Sequence, residues 1–331
     1  MSRTSSRTSS PAIELRGVQK QYGDVIALKD LDLTIESGEI FGFLGPNGAG
    51  KSTTIDILLD FVRPTDGSVR VLGLDAQTDS LAVRRRTGVL PDGYHVYDRL
   101  TGRQHLEFAI ASKGVADDPE ALLERVGLGD AAARKAGEYS KGMKQRLVLA
   151  MALVGEPELL ILDEPSTGLD PAGAREMRRI IREERDRGAT VFFSSHVLEQ
   201  VEAVCDRVAI LNAGELVAVD TIAGLRAARG ADTTLTITVE SVPAGLLDSI
   251  NRLPGVTSVY ADGTTVTVAC EGARKTAVLR AIEESKAGVR DFETVSASLE
   301  DLFIGYTGAD RSVVSPSPTR APSAGPREAA R

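Results

Sequence analysis

The feature that most constrains this sequence is a glycine-rich loop between an apolar run and a helical pattern. Residues 41–53 read FGFLGPNGAGKST and contain the spacing Gly45-x4-Gly50-Lys51-Ser52. Glycines let backbone N–H groups approach phosphate oxygens, and the helix that follows directs its positive end at the same anion. Lys51 supplies a charge for the β- and γ-phosphates, and Ser52 supplies a hydroxyl ligand for Mg²⁺. A glycine-rich turn with a chance lysine is the alternative interpretation. The predicted phosphate-binding residues are Gly45, Pro46, Asn47, Gly48, Ala49, Gly50, Lys51, Ser52 and Thr53.

A second motif places two acids at the end of an apolar strand. Residues 159–165 read LLILDEP, which is typical of a buried parallel strand whose carboxyl end meets a ligand crevice. Adjacent buried acids are costly unless a cation or a proton balances them. Asp163 therefore suits Mg²⁺ binding, and Glu164 suits a base that orients an attacking water. By itself the pair also fits an ordinary strand end, but 112 residues after Lys51 the functional interpretation is favoured.

The order of apolar patterns predicts two folded units between two disordered tails. From Ile13 to about Arg229, short apolar strands alternate with amphipathic helices, which predicts a parallel α/β core. Residues 227–232, AARGAD, predict a linker. The pattern strand, helix, hairpin, helix, strand follows and predicts a small α+β domain. We assign 1–11 and 306–331 to disordered tails, 12–230 to the first domain and 231–305 to the second.

Charge, cysteine content and hydropathy exclude several classes of protein. The 331 residues carry 39 Lys and Arg against 47 Asp and Glu, a net charge of −8, which argues against a protein that coats nucleic acid. The two cysteines are far apart in sequence, so neither a disulfide framework nor a zinc site organises the fold. The longest apolar run, Leu147–Val154, is much shorter than the roughly 20 residues of a membrane span.

Four further motifs make the chain similar to the ATP-binding subunit of ABC transporters. Residues 140–146, SKGMKQR, resemble the family's signature motif and open an apolar helix before the acid-ending strand. Residues 167–170, TGLD, resemble its D-loop; His196 stands at the position of its switch histidine, and Tyr22 at that of the aromatic residue that stacks on adenine. Each motif alone has a structural explanation: a helix cap, a lone structural histidine or a surface tyrosine. The resemblance adds Tyr22, Ser140, Lys141, Gly142, Met143, Asp170 and His196 to the candidate site.

The sequence departs from the family pattern in two places. Asp92 stands where the family has the glutamine of its Q-loop, so we expect it near Mg²⁺ but with an added charge. Lys141 and Met143 replace a glycine and a glutamine of the signature. This variant, and residues 298–303, SLEDLF, after a small appended domain, resemble exporters of the daunorubicin-resistance and sodium-extrusion type. The resemblance covers about residues 12–305 and implies a P-loop NTPase cassette with a helical signature subdomain.

The resemblance also implies a mechanism and partners. Two chains would enclose two ATP molecules, each between the phosphate loop of one chain and Ser140 and Gly142 of the other. Glu164 would act as the base and His196 would sense the γ-phosphate. We expect a separate membrane-spanning permease, contacted near residues 92–106, a paired ATPase subunit, ATP and Mg²⁺ as cofactors, no nucleic acid, and a position at the cytoplasmic face of the membrane. The alternatives are a soluble ABC-type ATPase that acts on ribosomes or chromosomes and a non-hydrolysing regulatory binder; the intact Glu164 and His196 argue against the latter.

Overall fold

A computed structural model describes residues 10–228, 233–295 and 303. Its strands are β1 (Ile13–Tyr22), β2 (Val25–Ile35), β3 (Ile40–Leu44), β4 (Asp66–Val71), β5 (Leu74–Asp75), β6 (Thr87–Leu90), β7 (Leu159–Asp163), β8 (Thr190–Ser195), β9 (Arg207–Asn212), β10 (Glu215–Thr221), β11 (Thr233–Val239), β12 (Val256–Asp262), β13 (Thr265–Cys270) and β14 (Val289–Val295). Its α-helices are α1 (Lys51–Leu58), α2 (Ser80–Arg86), α3 (Gly102–Lys113), α4 (Pro119–Arg125), α5 (Lys141–Leu153), α6 (Pro171–Arg187), α7 (Leu198–Glu202), α8 (Ile222–Ala228), α9 (Leu246–Asn251) and α10 (Lys275–Glu284).

A six-stranded sheet forms the centre of the first unit. Its order is β10-β9-β3-β8-β7-β6, and all neighbouring pairs are parallel except β9 with β10. Every residue of β3, β7 and β8 is buried. Alternate residues of these strands enter two different hydrophobic clusters, so both faces of the sheet are covered. This explains why the strands read as continuous apolar runs, and it confirms the predicted parallel α/β core.

A four-stranded antiparallel sheet, in the order β2-β1-β4-β5, packs within the same unit. The prediction of alternating strands and helices did not include it. Strands β1 and β2 form a hairpin around Gly23, where φ is +55°, so this pairing needs only a short turn and no crossover helix. The alternate apolar residues of β1 and β2 share a cluster with β3.

Helices α3, α4 and α5 form a helical subdomain between β6 and β7. Each begins at a residue whose side chain accepts a backbone N–H of the first turn: Thr101, Asp118 and Ser140. Their apolar residues pack in one cluster with β6 and with one face of β7. The signature motif opens α5 as predicted, and the helix includes the motif itself from Lys141 onward.

The second described unit is a sheet of order β12-β13-β11-β14 covered by α9 and α10. All pairs in this sheet are antiparallel, and the element order is that of a ferredoxin-like fold. It has its own hydrophobic cluster, which confirms the predicted α+β arrangement. Phe303 lies beyond this unit in sequence but packs against a cluster of the first unit.

Several predicted segments lie partly or wholly outside the described residues. Helix α8 takes Ala227 and Ala228 out of the predicted linker, and 229–232 are not described, so the boundary at 230 stays a prediction. Of the predicted tails, 306–331 and residues 1–9 lie outside the described residues, whereas Ser10 and Pro11 are placed and the Ser10 carbonyl accepts a hydrogen bond from Ser37 Oγ. Within the described ranges, none of the helices has the length and apolar character that a membrane crossing requires.

Candidate active site

Four neighbouring strands place predicted site residues at one edge of the central sheet. Strands β3, β8, β7 and β6 are adjacent and parallel, so their carboxyl ends lie side by side. The glycine-rich loop follows β3, and His196 follows β8. Strand β7 ends at Asp163, next to Glu164, and Asp92 comes two residues after β6. Ligands of open α/β sheets bind at this edge, so the topology brings together residues that are more than 100 positions apart.

The glycine-rich loop folds around the side chain of Lys51. The Lys51 Nζ donates to the carbonyl oxygens of Gly45 at 2.8 Å and Pro46 at 3.3 Å. Burial lowers the pKa of Lys51, and the charges of Glu164, Asp163 and Asp92 oppose that effect. The ammonium is therefore held inside the loop and facing acids, where an added phosphate could displace the carbonyl contacts.

Two glycines of the loop are required by close contacts. A Cβ on Gly50, where φ is +110°, would lie 2.7 Å from Leu28 Cδ2 and 2.8 Å from the carbonyl oxygen of Ala27. A Cβ on Gly45 would lie 2.6 Å from the carbonyl oxygen of Leu211. The other predicted loop residues occupy the loop and the first turn of α1: Pro46, Asn47, Gly48, Ala49, Ser52 and Thr53, of which Ala49 is buried and Ser52 is exposed.

Asp163 is a buried carboxylate that binds the next strand. It pairs with Ser194 in the β7–β8 ladder and accepts a hydrogen bond from the Ser194 hydroxyl. Burial raises the pKa of Asp163; the Ser194 hydrogen bond lowers it, the charge of Asp92 raises it, and the charge of Lys51 lowers it. The backbone of Asp92 also lowers the pKa of this carboxylate. Asp92 thus reaches the predicted magnesium side of the site.

Glu164 is held in a left-handed backbone conformation, with φ of +49°. Its N–H donates to the carbonyl oxygen of Ser194, and its carbonyl oxygen accepts the N–H of Thr167. Its side chain is 11% exposed, and the Nδ1 of His196 lies 2.7 Å from the Glu164 Oε1. The Ser195 Oγ is 3.5 Å from the other carboxylate oxygen. The structure therefore brings the predicted base and the predicted switch histidine into direct contact.

A cavity of about 380 Å³ opens beside these acids. Asp92, Asp163 and Glu164 line one part of it, and Lys141 of the signature motif lines another. The hydroxyl of Tyr94 donates to the Lys141 carbonyl oxygen at 3.2 Å, so the segment after β6 is bound to the start of α5.

The signature residues surround the N-terminus of α5. The Ser140 Oγ caps the helix by accepting the N–H of Met143 at 3.2 Å. Lys141 is exposed, and its stem crosses the D-loop at Gly168, since a Cβ there would meet the Lys141 Cδ at 2.8 Å. A Cβ on Gly142 would lie 3.4 Å from Leu169, and Met143 packs against a core cluster.

Two further predicted residues, Tyr22 and Asp170, are not among the residues that line this cavity. Tyr22 ends β1 and is 45% exposed; the Nζ of Lys20 lies 4.7 Å from its ring centroid. Asp170 caps α6, because its Oδ1 accepts the N–H of Gly173 at 2.7 Å. A role of Tyr22 toward adenine and of Asp170 toward nucleotide stays a prediction.

Two contributors to the site are absent from the sequence prediction. Ser194 binds Asp163, and only the pairing of β7 with β8 places it there. Gln145 is buried and donates to the carbonyl oxygens of Glu164 and Pro165. Its signal is its place in SKGMKQR, a motif of which only the first four residues are predicted site residues.

The described residues fit a Mg²⁺ ion that is completed by phosphate. They contain no group of three or more His, Cys, Asp or Glu side chains arranged as a metal cage. Mg²⁺ is usually bound by one or two carboxylates together with substrate phosphates, and it keeps several waters. Asp163 is a buried carboxylate at the correct edge of the sheet, and its raised pKa is the mark of a negative charge that a cation would stabilise.

Comparisons with known proteins match both units of the chain. The family described as "ABC transporter" matches residues 28–167, and the family described as "ATP-binding protein DrrA1-3-like, C-terminal domain" matches residues 221–307. The daunorubicin resistance ATP-binding protein DrrA3 of Streptomyces coeruleorubidus is 36% identical over 91% of this chain and 98% of its own length. The linearmycin resistance ATP-binding protein LnrL of Bacillus subtilis is 31% identical over 89% of this chain and 98% of its own. A solved structure titled "Structure of ATP binding subunit of ABC transporter" is similar with a TM-score of 0.62 and 30% identity, over 66% of this chain and 93% of that one.

Proposed function

Because the chain belongs to the ATP-binding subunits of ABC transporters, we propose that it powers an exporter through ATP-driven closure of a dimer. The chain is accordingly an ATPase whose activity is coupled to transport. Support for export comes from two relatives named for drug resistance, to daunorubicin and to linearmycin. The observation that carries the proposal is the meeting of Lys51, Asp163 and Glu164 at one edge of the sheet.

The residues of this edge divide the work of ATP hydrolysis. We assign Lys51 and the N–H groups of the loop to the phosphates, and Tyr22 to the adenine. Asp163 and Ser52 hold Mg²⁺, which neutralises phosphate charge when it is bound, with Asp92 beside them. Glu164 orients the attacking water and takes up its proton, while His196 fixes the Glu164 carboxylate and senses the γ-phosphate.

The dimer supplies what one chain lacks. Ser140, Lys141, Gly142 and Met143 lie at the N-terminus of α5, which is a site for anions. In the proposed dimer they meet the nucleotide held by the second chain, with Asp170 near the contact. Catalysis then consists mainly of positioning and charge stabilisation.

The proposed partner is a separate membrane-spanning permease, which this chain would bind at the cytoplasmic face of the membrane. The test is to express a tagged chain in its native cell, fractionate the lysate and identify the proteins that co-purify. We expect the chain in the membrane fraction with a membrane-spanning protein, and phosphate release that requires Mg²⁺ and is lost in Lys51→Ala. Recovery with ribosomes or with chromosomal DNA would overturn the transport proposal in favour of the soluble alternative.

A further inference from the structure

A buried glutamine connects the signature helix to the loop that carries the base. Gln145 lies on α5, five residues after Ser140, which is about 7.5 Å along a helix axis. Its residue exposure is 1%, and it lines the cavity beside Asp163 and Glu164. It therefore lies between the helix end assigned to the second chain's nucleotide and the base assigned to the chain's own nucleotide.

The contacts of Gln145 are made to backbone that directly follows the base. Its Nε2 donates to the carbonyl oxygen of Pro165 and lies 3.5 Å from that of Glu164. Glu164 has a φ of +49°, a conformation that a side-chain-bearing residue keeps only where its surroundings hold it. The Thr167 N–H also binds the Glu164 carbonyl oxygen, and the Ser194 carbonyl oxygen of β8 accepts the Glu164 N–H. Among the described contacts to this backbone, Gln145 provides the one that comes from α5.

The carbonyl oxygen of the Gln145 side-chain amide indicates that the role of this side chain is to donate hydrogen bonds through its Nε2. The Oε1 of Gln145 is buried and makes no hydrogen bond to any part of the chain that the structure describes. A buried acceptor without a partner is costly, so an apolar residue of similar shape would fill this space more cheaply if packing were all that mattered. The N–H donation to the loop is the compensating interaction.

We infer that Gln145 is a positioning residue that links the two ATP sites of the dimer. This rests on the proposed function, in which α5 of each chain contacts the nucleotide of the other. When Ser140 and Gly142 engage that nucleotide, α5 is fixed, and Gln145 holds the Glu164 loop of its own chain in the productive conformation. One site thereby senses occupancy of the other through a single helix.

The test is Gln145→Met, which preserves length and burial and removes both the donor and the unpaired acceptor. A misplacement of about 1 Å at the base can cost about 10²-fold in rate, so we expect kcat to fall by that order. The ATP dissociation constant and the melting temperature should stay unchanged. The Hill coefficient for ATP should fall toward about 1, the value for uncoupled sites. In the nucleotide-free chain, amide hydrogen exchange of the segment 164–169 should accelerate while that of α6 does not.

Gln77→Met is the matched control, because it makes the same exchange at a partly buried glutamine outside the site. It should leave kcat, the Hill coefficient and exchange unchanged. A Gln145→Met protein with native kcat and native exchange would overturn the inference. So would a loss of kcat accompanied by a parallel loss of ATP affinity and melting temperature, since that indicates a structural role. Failure of the proposed function itself is distinguishable: the native protein would then show no ATPase activity sensitive to Lys51→Ala.

Discussion

Replacing Glu164 with glutamine tests the assignment of the base with little change of structure. The two side chains have the same shape, and the Glu164 side chain is mostly buried, with 11% of its surface exposed. The amide oxygen can still accept from the Nδ1 of His196, which lies 2.7 Å from the carboxylate. We therefore expect Glu164→Gln to fold and to melt like the native chain.

The magnitude follows from the role of the carboxylate. A positioned base contributes about 10²- to 10⁴-fold to a rate. At about 1.36 kcal/mol per factor of ten, its loss raises the barrier by about 3 to 5 kcal/mol. Phosphate release under saturating Mg²⁺ and ATP should fall by that factor.

Binding should be retained, because the removed charge is negative and the ligand is an anion. Glu164 acts on Lys51 electrostatically, and its charge raises the pKa of that ammonium against the effect of burial. Glutamine makes the potential around the phosphates less negative, so the variant should bind ATP at least as tightly as the native chain. Because this variant binds ATP without hydrolysing it, it should also accumulate as an ATP-bound dimer. Light scattering would detect that dimer by its mass.

Glu199→Gln controls for the loss of one negative charge, because Glu199 is exposed on α7, whereas the Glu164 carboxylate is mostly buried and contacts His196. It should leave turnover unchanged. Hydrolysis by Glu164→Gln within tenfold of the native rate would refute the assignment of Glu164 as the base.

Three further outcomes can be checked by melting and binding experiments. Gly50→Ala should lower stability by about 1 to 3 kcal/mol in thermal melts, because φ is +110° and the new Cβ would approach Leu28 to 2.7 Å. Glu158→Gln should lower the melting temperature slightly at pH 7, because the hydrogen bond with Arg86 lowers the pKa of Glu158. The difference in melting temperature between the native chain and the variant should be complete above pH 4.5 and should vanish as the pH falls through the lowered pKa of Glu158. A chain that ends at Ala228 should keep native ATP affinity by equilibrium binding, because the phosphate-handling motifs precede it; aggregation or lost affinity would show that the two units share one core.

The sequence predicts the central strands well, because strands that are buried on both faces consist of runs of apolar residues. Strands β3, β7 and β8 are covered on both faces, so nearly every residue is apolar and the run itself marks the element. The antiparallel sheet is harder to predict. In β2 the buried positions alternate with exposed acids and a threonine, and the β4 strand that pairs with β1 lies beyond α1 in sequence. Pairing over that distance depends on tertiary packing that no local pattern specifies.

The candidate site divides in the same way. Lys51, Asp163 and Glu164 are predictable, because their chemistry requires fixed residue types directly after apolar strands. The hydrogen bond from Ser194 to Asp163 depends on the β7–β8 register, and the donation from Gln145 depends on how α5 packs against the loop after β7. Both are tertiary contacts between segments about 20 to 30 residues apart, so sequence spacing alone gives no sign of them.

The aspartate at position 92 changes the electrostatics of the site in a definite direction. Its charge raises the pKa of Lys51 and also raises the pKa of Asp163, which a neutral glutamine in the same place would not do. The ammonium is therefore better kept in its charged form, and the buried carboxylate is harder to ionise without a cation. A triphosphate adds further negative charge to the same edge of the sheet. We therefore propose that the site would rely on Mg²⁺ more strongly than one with glutamine at this position, because the ion would offset repulsion from Asp92 as well as the charge of the phosphates.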